Sequence, residues 1–510
     1  MKDIANLARI VTSRAVSFLP VLDLEGPAAT KECHMVQALL ANPDITANQM
    51  VKVVYGPVTD NNLRAMQKMQ SRVRSKLLNH LYFLDHTDPR HVVSRRYQLE
   101  CLDLLHKVSI LFAEGEYLLT EQLLKKCMRL AQEGEFTQYT VQSARMLCTL
   151  YAELRQAHQF EKMDAQLVKA SKVLEIENEA ERLHASTLLA LGGTVKSRQA
   201  VLKVIPEHLK KLDTLHRQAG TFNTYLFRYR LLLALHELQG NYSEISRLTG
   251  LADKQLREGT LNARRFDKRY NSFMRVFAHL RARRPSQGLK LAKEAIKDFH
   301  PSSNNWFYFQ ENHVLLALHA QEYDQAHVLL TNTINNPAYS KQRPAAIERW
   351  DLYRAYAEFV QPPARVGPVR RMQIAQWAHT LPEFSRDKTG QNIAILIFQM
   401  LHYMRANSYE EVMTRLERLR KYQQRHMGGT GMVRSRLFLR LLHVMADCGF
   451  NAKDSAEKGR GLLKVLENTV PPGEAYAEVE IIPYEHLWVI ILQMLLRKKE
   501  VAVVPEAGVA

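Results

Sequence analysis

Apolar residues recur along this chain at steps of three and four, which is the spacing of one face of an α-helix. In the segment 60–84 the stripe consists of Leu63, Met66, Gln70, Val73, Leu77, Leu81 and Leu84. A second stripe, in 262–280, is aromatic and consists of Phe266, Tyr270, Phe273 and Phe277. The alternation typical of β-strands is nearly absent, and the one short candidate, residues 50–56, fits a helix equally well. The sequence therefore predicts an all-α protein.

Glycine and proline residues divide the helical pattern into segments. The breaks fall at Gly192-Gly193, Arg284-Pro285, Gln361-Pro362-Pro363, Gly428-Gly429 and Pro471-Pro472-Gly473. The segments between them have the length of two helices joined by a short turn. We therefore expect antiparallel helix pairs.

A short pattern recurs along these pairs. It consists of a turn residue, one further residue, an aromatic residue and, three positions on, a small or apolar residue. The clearest copies are Gly115-Glu116-Tyr117 with Thr120, Gly240-Asn241-Tyr242 with Ile245, Gln321-Glu322-Tyr323 with Ala326, and Asn407-Ser408-Tyr409 with Val412. Weaker copies lie at Phe160 and Pro285. The copies are separated by about 42 residues or a multiple of that length, which indicates an internal repeat.

Two of these segments resemble the tetratricopeptide repeat. They are QEYDQAHVLLTNTINNP, with Tyr323, Ala326, Leu330, Thr333 and the closing Pro337, and GEYLLTEQLLKKC, with Tyr117, Thr120, Leu124 and Cys127. The repeat of that family is about 34 residues long, whereas the spacing in this chain is about 42. This spacing also predicts copies near residues 200 and 366, where the sequence matches the pattern poorly. The resemblance covers residues 98–470 loosely. It implies a right-handed superhelix of antiparallel helix pairs, in which the first helix of each pair lines a concave surface.

Residues 1–97 lie outside the repeat. They contain a helix around 30–41, a short element at 46–55 and the long helix 60–84, which carries a basic stripe at steps of four: Arg64, Lys68, Arg72 and Lys76. The stretch NLRAMQKMQSRVRSKL resembles the recognition helix of winged helix-turn-helix regulators. The following LYFLDHTDPRHVVSRR has no hairpin signal for the wing. Two interpretations follow: a helical cap with a solvated basic face, or a helix-turn-helix-like region that contacts DNA.

The most basic stretch of the chain is NARRFDKRYNSFMRVFAHLRARR, residues 262–284. It contains one acidic residue, Asp267, and eight basic residues: Arg264, Arg265, Lys268, Arg269, Arg275, Arg281, Arg283 and Arg284. Because its aromatic stripe is expected in the core, Arg264, Lys268 and Arg275 are expected on another face. There they would meet phosphates or an acidic peptide, or form a solvated surface.

Charge supports an anionic partner without identifying it. The chain has 510 residues, 46% of them hydrophobic, and a net charge of +18. Its length suggests two to four domains or one repeat array. The positive charge favours encounters with nucleic acid, anionic membranes or acidic proteins.

The cellular compartment is predicted from the lack of targeting and membrane-spanning segments and from the spacing of the cysteines. The N-terminal segment is interrupted by Arg9 and Arg14, and the longest apolar run, 488–496, is about half of what spans a bilayer. The five cysteines form no CxxC pair and no disulfide framework, so we expect each of them to be a small buried hydrophobic residue. They are Cys33, Cys101, Cys127, Cys148 and Cys448. These features predict a cytoplasmic protein with no membrane partner.

Catalytic and metal signatures are absent from the sequence. There is no GxxxxGK[ST], GxGxxG, GxSxG or HExxH motif. His80, His86 and His91 lie near Asp85 and Asp88 but lack the spacing of metal ligands. We therefore expect no catalytic residues, metal or cofactor, and no enzyme. A solenoid enzyme with a site built from distant residues is the third alternative.

Four segments are expected: an N-terminal helical region (1–97), tetratricopeptide-like repeats (98–470), a capping helix (471–500) and a disordered tail (501–510). The favoured function is a non-enzymatic scaffold that binds an acidic or extended protein or peptide on a concave, basic surface. The alternative is a transcriptional regulator that contacts DNA through residues 30–84. The sequence does not determine the oligomeric state.

Overall fold

The architecture is that of a computed structural model, which describes residues 2–14, 21–22, 30–42, 44–84, 93–192, 195–360, 391–426, 433–471 and 480–501. These residues contain 21 α-helices, a few short 3₁₀ turns and no β-strand. The all-α prediction is confirmed, and the ambiguous segment 50–56 belongs to a helix that ends at Tyr55.

The chain forms two compact units. Unit 1 consists of Met1–His91, Arg95–Leu130 and Gln142–Met163, and unit 2 consists of Val92–Ser94, Ala131–Val141 and Asp164–Ala510. Residue 97, the expected domain boundary, lies within unit 1.

The helices of the first part of the chain are α1 (Lys2–Arg14), α2 (Lys31–Ala41), α3 (Ala47–Tyr55), α4 (Asp60–His80), α5 (Val93–Ala113), α6 (Tyr117–Glu133) and α7 (Thr137–Glu153). A 3₁₀ turn, Leu81–Phe83, follows α4. The starts of α2, α3 and α4 are set by threonine caps, whose hydroxyl groups accept a hydrogen bond from the backbone N–H three residues on. Helices α2 to α4 share one small core that includes Met35, Val51 and Met66.

The helices of the remaining chain are α8 (Ala157–Leu191), α9 (Val195–Ala219), α10 (Phe222–Gln239), α11 (Tyr242–Arg257), α12 (Lys268–Arg281), α13 (Pro285–Ala295), α14 (Asn304–His319), α15 (Tyr323–Ile334), α16 (Pro344–Val360), α17 (Gln391–Arg405), α18 (Tyr409–His426), α19 (Val433–Asp447), α20 (Ala452–Asn468) and α21 (Tyr484–Val501). Helices that follow one another along the chain pack together. The last helix buries Leu487, Trp488 and Ile491, which makes it part of the core. Of the expected tail, residues 502–510 lie outside the described residues.

The predicted breaks fall between helices where the structure describes them. Helix α8 ends just before Gly192, and Pro285 is the first residue of α13, where its missing N–H costs no hydrogen bond. The breaks at 361–363 and 428–429, and most of the break at 471–473, lie outside the described residues.

The recurring sequence pattern corresponds to a recurring backbone turn. Each of its four tyrosines is the first residue of a helix: Tyr117, Tyr242, Tyr323 and Tyr409. The turn residue two positions earlier has a positive φ: 76° at Gly115, 75° at Gly240, 62° at Gln321 and 57° at Asn407. At Gln321 the turn is closed by hydrogen bonds from the backbone N–H of Gln321 to Leu318 O (3.2 Å) and of Glu322 to Ala317 O (2.9 Å). This is the Schellman arrangement that ends helices by satisfying their last carbonyl groups.

Small residues let adjacent helices approach closely. Thr120, Ala326 and Val412, three positions after their tyrosines, have no exposed surface. A Cβ atom on Gly288, three positions after Pro285, would lie 2.6 Å from Cδ2 of Leu316, so α13 and α14 pack at a distance that only glycine permits there.

Candidate functional site

The basic stretch 262–284 is a turn followed by a helix. Helix α12 begins at Lys268 because the side chain of Asp267 caps it, accepting hydrogen bonds from the backbone N–H of Arg269 (3.0 Å) and Tyr270 (3.3 Å). The expectation of one helix across 262–280 was therefore wrong at its start. Arg264 lies in the turn and shares no helix face with Lys268 and Arg275.

The aromatic stripe of this stretch packs in the core, as predicted. Phe266 is buried, and Tyr270, Phe273 and Phe277 pack against the same cluster. The ring of Phe277 lies edge-on to Tyr242, the first residue of α11. These rings are thus not available for stacking on bases.

The three predicted anion-binding residues each contact an acidic side chain. Arg264 pairs with Glu133. Lys268 Nζ lies 3.1 Å from Asp298 Oδ2, and Arg275 Nη1 lies 2.9 Å from Asp253 Oδ2. An anion at any of them would compete with a carboxylate, and no contact given for the described residues brings the three together. Their role in binding stays a prediction.

Arg265, their neighbour, joins distant parts of unit 2. Its guanidinium group lies between the rings of Phe136 and Phe222, with the Cζ atom 4.2 Å and 4.7 Å from the two ring centroids. It donates hydrogen bonds to the carbonyl oxygens of Gly134 (2.9 Å) and Glu135 (2.7 Å) and to Asn223 Oδ1 (2.6 Å). With three of its five N–H groups engaged in this way, Arg265 holds these segments of unit 2 together.

The C-terminal end of the basic stretch reaches a cavity within unit 2. The cavity has a volume of about 190 Å³ and lies among α12, α14, α16 and the segments before α21. Its apolar walls are Phe277, Leu280, Leu315, Pro471 and Pro483. Its polar walls are Arg281, Arg283, Asn312, His319, Tyr353 and Glu480.

Tyr353 presents a hydroxyl group to this cavity. The side chain is buried, and its hydroxyl group forms no hydrogen bond within the part of the chain that the structure describes. Burial raises the pKa of Tyr353, and the carboxylate of Glu311 adds to this, while the positive charges of Arg349 and Arg281 oppose it. Tyr353 is therefore a neutral donor at physiological pH.

His319 and Asn312 are neutral as well. Burial lowers the pKa of His319 to about 4, although its ring hydrogen-bonds to the carbonyl oxygen of Glu480 (2.9 Å). Because a carbonyl oxygen only accepts, Nε2 of His319 is the donor and Nδ1 carries no proton. Asn312 Nδ2 donates to Tyr308 O at 3.3 Å.

One wall of the cavity is fixed by an ion-pair network. Arg434 is fully buried, and its Nε and Nη2 donate to the carboxylate of Glu480 (2.5 and 3.0 Å) while Nη2 also donates to Glu485 (2.7 Å). Arg283 pairs with Glu485 and donates to Glu467 O at 2.8 Å. No spacing signal in the sequence distinguishes Arg434 from the nearby Arg436 and Arg440.

Arg281 adds a further positive charge to the cavity wall. Its guanidinium carbon lies 5.5 Å from the ring centroid of Phe277. In this cavity, cationic and hydroxyl donors stand beside apolar side chains. Such a site can take a carboxylate or phosphate whose neighbouring groups are apolar.

The basic stripe of α4 divides into two halves. Arg64 and Lys68 are exposed, whereas Lys76 Nζ lies 2.6 Å and Arg72 Nε 3.9 Å from the carboxylate of Glu32. The segment that would form a wing, 85–92, lies outside the described residues.

The described residues contain neither a metal-binding cluster nor a membrane-spanning helix. No group of three His, Cys, Asp or Glu side chains that could hold a metal ion lies in the described ranges, and His86, His91, Asp85 and Asp88 lie outside them. His80 instead hydrogen-bonds to the backbone of Leu22. None of the described helices is both long and apolar enough to cross a bilayer. All five cysteines are free. Four are buried as expected, whereas Cys448 is only partly buried.

No protein-family model matches this sequence, and no curated protein shows significant similarity to it.

Proposed function

We propose that this protein is a non-enzymatic helical-repeat scaffold that binds an acidic segment of a protein or peptide partner. The observation that carries the proposal is the cavity at the end of α12, where Arg281 stands with Tyr353 beside apolar walls, while Arg283 is held by Glu485. An acidic side chain flanked by apolar residues complements both kinds of wall.

Two further observations support a tetratricopeptide-like superhelix. The same helix-ending turn precedes Tyr117, Tyr242, Tyr323 and Tyr409, and the copies follow a spacing of about 42 residues. Repeats of this kind bind extended segments through many modest contacts. The five free cysteines favour the cytoplasm as its location.

The test is fluorescence anisotropy with a labelled peptide that alternates glutamate with leucine and alanine. A second peptide with glutamine in place of glutamate provides the charge control. We expect binding of the acidic peptide that weakens with salt, and a loss of affinity of at least about tenfold in Arg281→Gln, since one charge-assisted contact is removed. Tyr353→Phe should weaken binding less, because it removes a neutral donor.

Arg247→Gln is the matched control, because Arg247 is exposed on α11 and pairs with the nearby Glu244. Equal binding of both peptides, or equal affinities of Arg281→Gln and Arg247→Gln, would contradict the proposal.

DNA binding through residues 30–84 is the second candidate. It is favoured by the exposure of Arg64 and Lys68 on one face of α4. It is weakened by the contacts of Arg72 and Lys76 with Glu32, which a phosphate would have to replace. A labelled DNA duplex in the same titration distinguishes the two candidates: salt-sensitive DNA binding lost in Arg64→Ala/Lys68→Ala, without peptide binding, favours the regulator.

A further inference from the structure

The end of α4 presents apolar side chains to solvent. Of the predicted stripe, Met66 and Val73 are buried, Leu63 is half-buried and Gln70 is exposed. Beyond Val73 the side chains are between 38% and 74% exposed, and they are Leu77, Leu78, Leu81, Tyr82, Phe83 and Leu84. We call these six residues the apolar tip. Six large apolar side chains in one stretch of eight residues form a contiguous exposed patch, which is the mark of an interaction surface.

The apolar tip continues a positively charged helix. Helix α4 contains five basic residues, Arg64, Lys68, Arg72, Arg74 and Lys76, and one acid, Asp60. Arg74 and Leu78 are four residues apart on α4, and Tyr82 follows in the 3₁₀ turn, so the charged face leads into the apolar tip. Arg64, Lys68 and Arg74 are exposed, and none of them forms an ion pair among the described residues.

From this arrangement we propose that the end of α4 docks on an anionic lipid surface, with the apolar tip inserted among the acyl chains and the basic face against the headgroups. Aromatic and aliphatic side chains beside a basic face are the composition of helices that bind at a membrane interface. Tyr82 and Phe83 are the most exposed members of the tip, and aromatic rings favour the interfacial region.

Charge complementarity selects lipid over the other occupants of such a surface. A nucleic-acid backbone would neutralise Arg64 and Lys68 but leave the apolar tip in water. A second copy of this chain would cover the tip, but a two-fold contact would bring two basic helices together. An anionic bilayer satisfies both features at once. The short apolar runs of the sequence predicted no membrane partner, but peripheral binding requires no segment that spans the bilayer.

Vesicle co-sedimentation of the full chain tests the proposal. Vesicles of phosphatidylcholine are compared with vesicles that also contain phosphatidylserine. We expect binding to the anionic vesicles only, with a loss of about tenfold or more in Tyr82→Ser/Phe83→Ser and a similar loss in Arg64→Glu/Lys68→Glu. Both pairs are exposed, so circular dichroism should show an unchanged fold.

Matched controls come from unit 2. Leu188→Ser/Leu189→Ser removes two exposed leucines from α8, and Arg247→Glu/Lys254→Glu makes the same charge change on α11. Both controls should bind vesicles like the unmodified protein. Insertion is measured separately with Phe83→Trp, whose added fluorescence should be quenched by brominated lipid, while the described native tryptophans are buried.

Three results would overturn the proposal. The first is vesicle binding that is absent, independent of phosphatidylserine, or unaffected by both pairs of substitutions. The second is a concentration-dependent dimer in analytical ultracentrifugation that Tyr82→Ser/Phe83→Ser abolishes, without vesicle binding, since this assigns the tip to a second copy. The third is DNA binding that requires Arg64 and Lys68 but not the tip, again without vesicle binding.

Discussion

Histidine burial makes the stability of this protein sensitive to acid. Burial lowers the pKa of His184 and of His313 to about 4. For His184 the charge of Arg230 adds to the effect, whereas burial is the only cause for His313. The Nδ1 atom of His313 lies 3.1 Å from Gln310 Oε1, and its Nε2 atom has no hydrogen-bond partner among the described residues. A proton on this ring would be a buried charge.

His313 should therefore lower the free energy of unfolding in mild acid. Its unfolded pKa is about 6.5, so as pH falls the unfolded chain takes up the proton while the folded ring stays neutral down to about pH 4. The stabilisation is complete above pH 6.5 and is lost as pH falls towards 4. Between pH 7 and pH 5 the loss is about 2 kcal/mol. Urea unfolding at the two pH values should show a smaller change in His313→Gln.

The exposed His158 provides the control for this measurement. His158→Gln should retain the pH dependence of the unmodified protein. The same dependence in His313→Gln would show that the buried ring is not its source.

Individual residues were predicted well where local sequence decides their environment. The four buried cysteines and the aromatic stripe of α12 follow from residue type and spacing. Arg434 was not predicted, because its burial depends on Glu480 and Glu485, which lie far along the chain. The cavity was missed for the same reason, since Tyr353 and Pro483 meet α12 only through tertiary packing.

At the scale of elements, the sequence predicts where a helix ends more reliably than which part of its surface is covered by neighbouring helices. The turns at Gly115, Gly240 and Asn407 were recognised because glycine and asparagine adopt positive φ readily, and the turn at Gln321 was recognised only through the repeat of the surrounding pattern. Glu135, Arg155 and Arg283 adopt the same conformation, with φ between 51° and 57°, and were not recognised because their residue types rarely do so. The stripe of α4 predicted one continuous buried face, but periodicity alone does not reveal where the neighbouring helices end.

Two glycines of α20 test how closely its neighbours pack. A Cβ atom on Gly459 would lie 3.1 Å from both Leu441 Cδ2 and Trp488 Cζ2, whereas one on Gly461 would meet nothing within 4 Å. Gly461→Ala should therefore raise the free energy of unfolding by up to about 1 kcal/mol, the difference in helix propensity. Gly459→Ala should lower it by about 1–3 kcal/mol, because buried Leu441 and Trp488 have little room to move. Chemical denaturation of the two variants gives the comparison, and equal changes in both would contradict close packing at Gly459.

At the scale of the whole molecule, sequence spacing did not indicate how the chain is distributed between the two units. Residues 131–141 belong to unit 2 although the chain on both sides of them belongs to unit 1. Within unit 2 this segment is held by Arg265, whose contacts with Gly134, Glu135 and Phe136 join residues about 130 positions apart. Repeats about 42 residues long predict contacts between neighbouring helix pairs. They do not predict a contact between residues about 130 positions apart.

Arg265→Gln should consequently destabilise unit 2. The substitution removes three hydrogen bonds and two ring contacts, and it leaves buried carbonyl oxygens without their donor. We expect the free energy of unfolding to fall by about 2–4 kcal/mol. Tryptophan fluorescence follows this unit selectively, because the four tryptophans of the chain all lie in Asp164–Ala510.

Two further variants show whether geometry or charge is responsible. Arg247→Gln removes an exposed ion pair and should change stability by no more than about 0.5 kcal/mol. Arg265→Lys keeps the charge but loses the planar group that lies between two rings and donates to three acceptors, so it should recover little of the loss. Full recovery of stability by lysine would mean that Glu135 and Glu177 hold this position through charge alone. If Arg265→Gln has no larger effect than Arg247→Gln, segment 131–141 is held in unit 2 by other contacts.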